Sequence, residues 1–138
     1  MSAEAVIPKI MLTRLRVWAE DRSPPIDVAL PNVTFSVATR EPYLELAWLP
    51  NATDNLFLSG GPDRHEGFLQ ATVCYLARTG LTDAMLIVEE ILEQFPKGLA
   101  LVEGDIRVRV PRRGWASPPM QDTDRVRIPV SIPYLAFA

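Results

Sequence analysis

Between Arg125 and Tyr134 the apolar side chains fall on every second residue: Val126, Ile128, Val130, Ile132 and Tyr134. Pro129 and Pro133 occupy the intervening parity. Period-two alternation marks a strand with one buried face. A proline has no N–H to give to a ladder, and two prolines of one parity place both missing donors on the same flank. That flank cannot carry a continuous ladder. The run is therefore predicted to lie at a sheet edge, or to meet only a broken partner there.

Elsewhere the periodicity changes. Ala3 to Asp21 reads as a helix whose apolar stripe is Ile7, Met11, Leu15 and Trp18. Pro8 is tolerated only near a helix start, so the regular part is expected to begin close to it. Ser23-Pro24-Pro25 ends it. Val33, Phe35 and Val37, then Leu44, Leu46 and Trp48, alternate as half-buried strands, the second closed by Pro50. Asn51 to Gly67, with Gly60-Gly61-Pro62-Asp63 inside it, reads as a long exposed loop. Phe68 to Ala77 resumes the strand pattern.

A second helix is the clearest element. Thr82 is placed to cap it, Asp83 favours the positive end of the dipole, and Ala84, Ile87, Val88, Ile91, Leu92 and Phe95 form its buried stripe. Pro96 and Gly98 end it. Glu89, Glu90 and Glu93 are assigned to its solvent side. In the last third, Ile106, Val108 and Val110 oppose Arg107 and Arg109, and an irregular loop from Pro111 to Thr123 leads into the final strand, where Arg125 and Arg127 form the polar face.

The order is helix, three strands, helix, then two or three strands. Segregated helices without regular βαβ alternation argue for an α+β fold, a mostly antiparallel sheet with both helices packed on one face. Residues 1–138 are read as one domain, since 138 residues is an ordinary domain length. With 48% hydrophobic and 22% charged residues, such a chain needs no metal or disulfide to fold. One cysteine cannot pair within the chain, and one histidine cannot build a His/Cys metal site. No apolar run approaches the roughly 20 residues of a membrane span, and Glu4 and Lys9 argue against a signal peptide. An intracellular, soluble chain is the expectation.

No catalytic constellation emerges, and neither an enzyme nor a cofactor is expected. His65, in Asp63-Arg64-His65-Glu66, is read as a solvated loop histidine. Cys74 is read as a small buried hydrophobe within a strand. Gly60-Gly61 lacks the Lys-Ser/Thr of a phosphate loop and precedes a strand.

Charge is more informative. Residues 1–104 carry 8 basic and 14 acidic groups, net −6, and residues 105–138 carry 6 basic and 3 acidic, net +3. Arg107, Arg109, Arg125 and Arg127 would project from strand faces near one loop, joined by Arg112, Arg113 and Trp115. Arg and Trp together favour a protein interface. A nucleic-acid surface is disfavoured by the acidic chain, by having only Lys9 and Lys97, and by aromatics that do not interleave with this patch as stacking platforms require. An acidic helix face (Glu89, Glu90, Glu93) and a basic sheet face on one domain are complementary but not identical. On opposite sides, they would join copies head to tail.

Several fragments in order resemble one family. Leu30-Pro31-Asn32-Val33-Thr34-Phe35, Tyr43-Leu44, Leu49-Pro50, Gly67-Phe68-Leu69-Gln70, Phe95-Pro96-Lys97-Gly98 and Ile128-Pro129-Val130-Ser131-Ile132-Pro133-Tyr134 are similar to the tail-terminator-like (tail completion, minor tail) proteins of long-tailed bacteriophages. The resemblance implies a small non-enzymatic α+β structural protein of a phage or prophage. It implies a hexameric homo-oligomeric ring on the head-proximal end of the tail tube, which stops tube polymerisation and offers a head-joining surface. The implied partners are other copies, the tail tube protein and the head-connector protein, with assembly in the bacterial cytoplasm. A head–tail joining or other tail-assembly component stays open as an alternative, as does a small hydrolase or nucleic-acid module using His65 or the arginines.

Overall fold

A computed structural model describes residues 2–31, 42–53, 61–77, 80–122 and 124–138. Helix α1 spans Ala3–Asp21 and helix α2 Thr82–Gln94. The strands are β1 (Asp27–Ala29), β2 (Tyr43–Pro50), β3 (Arg64–Leu76), β4 (Ala100–Glu103), β5 (Ile106–Arg109), β6 (Trp115–Ala116), β7 (Met120–Gln121) and β8 (Arg125–Phe137). The order across the sheet is β1-β2-β3-β8-β5-β4, with β6 and β7 also paired to β8. Only β1 and β2 run parallel among these described pairings. The fold is α+β, with a mixed sheet that is mostly antiparallel. The strand expected over Val33 to Val37 lies outside the described residues.

The final strand is central rather than marginal, which corrects the edge reading. On one flank β8 pairs with β3 without interruption from Arg64↔Phe137 to Leu76↔Arg125. The other flank carries the broken partner. There β7 pairs at Val126 and Arg127, β6 at Val130 and Ser131, and β5 at Leu135 and Ala136. Ser117 N donates to the Pro129 carbonyl oxygen at 2.8 Å, so the Pro129 imide nitrogen faces this broken flank too. By parity Pro133 does the same. Both prolines fall between the short strands, where no N–H is asked for.

Three further expectations change. The segment from Pro111 onward is not an irregular loop but a strap that lays β6 and β7 along β8. The stretch expected to be loop through Gly67 is already strand from Arg64, because β3 is extended by its ladder to β8 and not by its own β propensity. Five strands follow α2 where two or three were expected, since β4, β6 and β7 are only two to four residues long.

Both helices cover one sheet face. Leu44 and Leu46 of β2, Leu69, Ala71 and Val73 of β3, and Ile128, Val130 and Ile132 of β8 pack there against Ile7, Met11 and Leu15 of α1 and Ile87, Val88, Ile91 and Phe95 of α2. Each large side chain buried in this way stabilises by about 1.5–3 kcal/mol. Helix α1 is regular from Ala3, five residues before Pro8, and its stripe continues from Leu15 to Ala19, leaving Trp18 half-buried. The Thr82 side chain makes no cap bond; Leu81 holds the N-cap position of α2. At its other end, Arg14 Nε donates to the Gln94 carbonyl at 2.7 Å, and Arg22 pairs with Glu90 at 2.8 Å. A cation at a helix C-terminus is favourable to the dipole, so α1 serves the end of α2.

Candidate functional site

The opposite face of the sheet carries no helix among the described residues. Cross-strand register lays its side chains out in rows. One row is Tyr43, Cys74, Arg127 and Met120; a second is Ala47, Gln70, Ser131 and Trp115; a third is Glu66, Leu135 and Arg109. Trp115, Met120, Leu49, Leu76 and Phe137 on this side are exposed. A helix-free sheet face with large exposed apolar groups is unusual for surface that only meets water.

The six arginines expected to form one basic patch divide into two groups. Arg127 is committed internally: it is half-buried, 2.6 Å from Glu45 Oε2 and 3.2 Å from Asp122 Oδ2. Its hydrogen bond to Glu45 holds the guanidinium pKa above its ordinary value. Arg125 lies over the Tyr43 ring, 5.5 Å from the centroid, and is half-buried. Arg107, Arg109, Arg112 and Arg113 are exposed. Arg112 covers the Trp115 ring at 5.3 Å, and Phe68 meets the same ring edge-on at 5.4 Å. Aromatic and basic side chains therefore do interleave within the patch, contrary to the expectation from the sequence. Arg107, Arg109 and Arg113 form no ion pair among the described residues. Where β8 lacks a partner at Pro133, an open depression of about 410 Å³ is lined by Asn51, Glu66, Phe68, Arg112 and Leu135.

On α2 the three glutamates also divide. Glu89 and Glu93 are exposed, whereas Glu90 is half-buried and bound to Arg22, which corrects its assignment to open solvent. The signal for that pairing lies 68 residues away in sequence and no local pattern reveals it. Met85 and Leu86, exposed beside Glu89, were missed. Met85 lies on the flank of the helix and Leu86 on the side opposite the buried stripe, both between stripe positions Ala84 and Ile87 in sequence.

Cys74 is fully buried, as its strand context implied, and burial pushes its thiol up to about 11. His65 is not a solvated loop residue. It is buried on β3 opposite Ala136, on the helix-covered face, beside a depression of about 180 Å³ lined by Glu4, Ile7, Trp48 and Tyr134. The aromatic stack of Trp48 on Tyr134, 4.4 Å between centroids, closes that side. Gly67 is required there, because a Cβ would collide with the Leu49 carbonyl oxygen and the Tyr134 hydroxyl.

Residues 7–134 match the family described as Phage tail terminator protein. The chain belongs to the phage tail terminator family. One solved structure superposes with a TM-score of 0.84 at 25% identity, covering 99% of this chain and 96% of its own. No curated protein matches the chain in sequence. Membership makes this a structural protein of the phage tail, and no described helix is long and apolar enough to cross a membrane.

Proposed function

We propose that the chain acts as a single domain that assembles into a ring, a hexamer by family resemblance, on the head-proximal end of a phage or prophage tail tube. There it ends tube polymerisation and presents a surface to the head connector. It performs no catalysis, needs no cofactor, and assembles in the bacterial cytoplasm before residing in the virion tail. The observation that carries this reading is the family match over residues 7–134. Two features of the fold support it. An exposed apolar and basic sheet face offers a docking surface, and the short strands β5, β6 and β7 carry Arg109 and Trp115 onto it. The net charge of −3 and the scarcity of lysine weigh against a nucleic-acid role.

The test is to polymerise tail tube subunits with and without the protein and to measure tube length and end decoration by electron microscopy. Shortened tubes with a ring at one end are expected. Tubes that lengthen indifferently overturn the reading. Binding to head-connector subunits with no effect on tubes supports a head–tail joining role instead.

A further inference from the structure

We infer that the outer stripe of α2 docks on the helix-free sheet face of a second copy of the chain, the anchors being Met85, Leu86 and Glu93 on one side and Trp115 and Arg109 on the other. This inference rests on the ring reading above and names the surfaces that would build it.

Four observations lead there. First, the two surfaces lie on opposite sides of the molecule. Helix α2 packs its Ile87, Val88 and Ile91 stripe on one sheet face, so Glu89 and Glu93 point away from the sheet. Arg107 and Arg109 alternate with buried Val108 and Val110 and leave by the other face. Surfaces that differ and point apart join copies head to tail.

Second, the charges left without partners are complementary. The C-terminal half of α2 holds Glu89, Glu90 and Glu93 with no basic residue in its last turn, where the helix dipole disfavours carboxylates. Arg22 relieves Glu90 and Arg14 serves the Gln94 carbonyl. Glu89 and Glu93 receive no such help among the described residues. Across the molecule, Arg107 and Arg109 are equally without acidic partners among the described residues.

Third, apolar anchors accompany the charges on both sides. Met85 is 39% and Leu86 52% exposed, and Trp115 is 41% exposed. Buried aromatic and arginine anchors supply most of the energy of protein interfaces.

Fourth, the spacings agree. From Met85 to Glu93 is eight residues of helix, about 12 Å. Trp115 stands opposite Ser131 and Arg109 opposite Leu135. Four residues of strand separate those positions, about 13 Å. With Met85 and Leu86 on Trp115, Glu93 reaches Arg109 in the same register.

The experiment uses two charge-reversal variants of the full chain, Glu89→Arg with Glu93→Arg, and Arg107→Glu with Arg109→Glu. Folding is checked by circular dichroism. Self-association is read by native mass spectrometry in solution and by ring decoration on tail tube ends. Each variant alone brings like charges together at the Glu93–Arg109 contact and reverses the charge around it, and its association is expected to weaken tenfold or more. An equimolar mixture restores it, because alternating copies again pair opposite charges. Should either double reversal disturb folding, Glu93→Gln and Arg109→Gln replace it, each weakening association to a smaller degree. Variants that assemble as well as the native chain overturn the inference, and so does a mixture that stays dissociated. In both cases a native chain that still shortens tubes leaves the terminator role standing. A native chain that neither associates nor caps tubes removes both.

Discussion

The two flanks of β8 are made by the same thirteen residues and are built in opposite ways. Toward β3 the ladder is unbroken across all of them. Toward the other side, three strands of two to four residues share the work, touching β8 at positions 126–127, 130–131 and 135–136. The difference comes from parity alone. Even-numbered residues turn their N–H toward β3 and none of them is proline. Odd-numbered residues turn toward the strap, and two of them are. One flank is thus fixed as scaffold. The other is assembled from short pieces whose connections carry Arg112, Arg113 and Trp115 into the exposed face.

The sharpest way to break this contrast is to move the proline by one residue. Val130→Pro removes a donor from the continuous flank while Pro129 still lacks its own. A loss of about 3 kcal/mol or more is expected, a large part of the total stability of a domain this size. Urea unfolding followed by circular dichroism measures it. A variant as stable as the native chain would show that the β3 ladder is not the scaffold.

Next in size is a cavity beneath the helices. Ile132 is fully buried, faces Leu69 across the ladder, and lies beneath Gly114, where an added Cβ would press on its Cγ1. Ile132→Ala is expected to cost about 2–5 kcal/mol in the same unfolding experiment. Leu69→Ala places an equal deletion on the opposing strand. If the strap collapses into the space left by Ile132 more readily than β2 closes on Leu69, the Ile132 variant loses less.

A smaller effect belongs to the helix-free face. Burial, with Glu45 adding to it, raises the Cys74 thiol from 9.0 to about 11. Below pH 9 the thiol is protonated in both folded and unfolded chains, and its contribution is complete. Above pH 9 the unfolded chain releases the proton first, so stability falls as pH rises toward 11. Cys74→Ala flattens that part of the stability profile. Burial also lifts Tyr43 and Tyr134 to about 12, and the remaining decline from pH 10 upward belongs to the two together. The thiol of the native chain resists iodoacetamide at pH 8, and rapid alkylation there would show that this part of the face is open.

What could be read from the sequence follows the same division. Helix α2 and strands β2, β3 and β8 declare themselves, because each buries its own periodic stripe. β6 and β7 do not. Two residues have no period, and their conformation is imposed by β8. His65 is obscured for a related reason. Asp63-Arg64-His65-Glu66 has the polar composition of a turn, yet the ladder to β8 holds it extended. The arginines and glutamates were legible as residue types and not as partners. Arg127 to Glu45 and Arg22 to Glu90 are contacts between distant segments, whereas Arg107, Arg109, Arg112, Arg113, Glu89 and Glu93 stay exposed.

The least disturbing change is the most specific to the broken flank. Pro133 faces the depression between β6 and β5, where no strand accepts or donates. Pro133→Ala restores an N–H there, which meets solvent in the depression instead of a ladder, so no structural bond is gained. The unfolded chain gains freedom at this position, an effect of about 0.4–1 kcal/mol. Stability should therefore fall by about that amount, measured against Val130→Pro under the same conditions. The ratio of the two losses is the informative quantity. Near-equal losses would mean that Pro133 holds the strap in place. A loss severalfold smaller would mean that the proline acts through the unfolded chain and contributes little else to the fold.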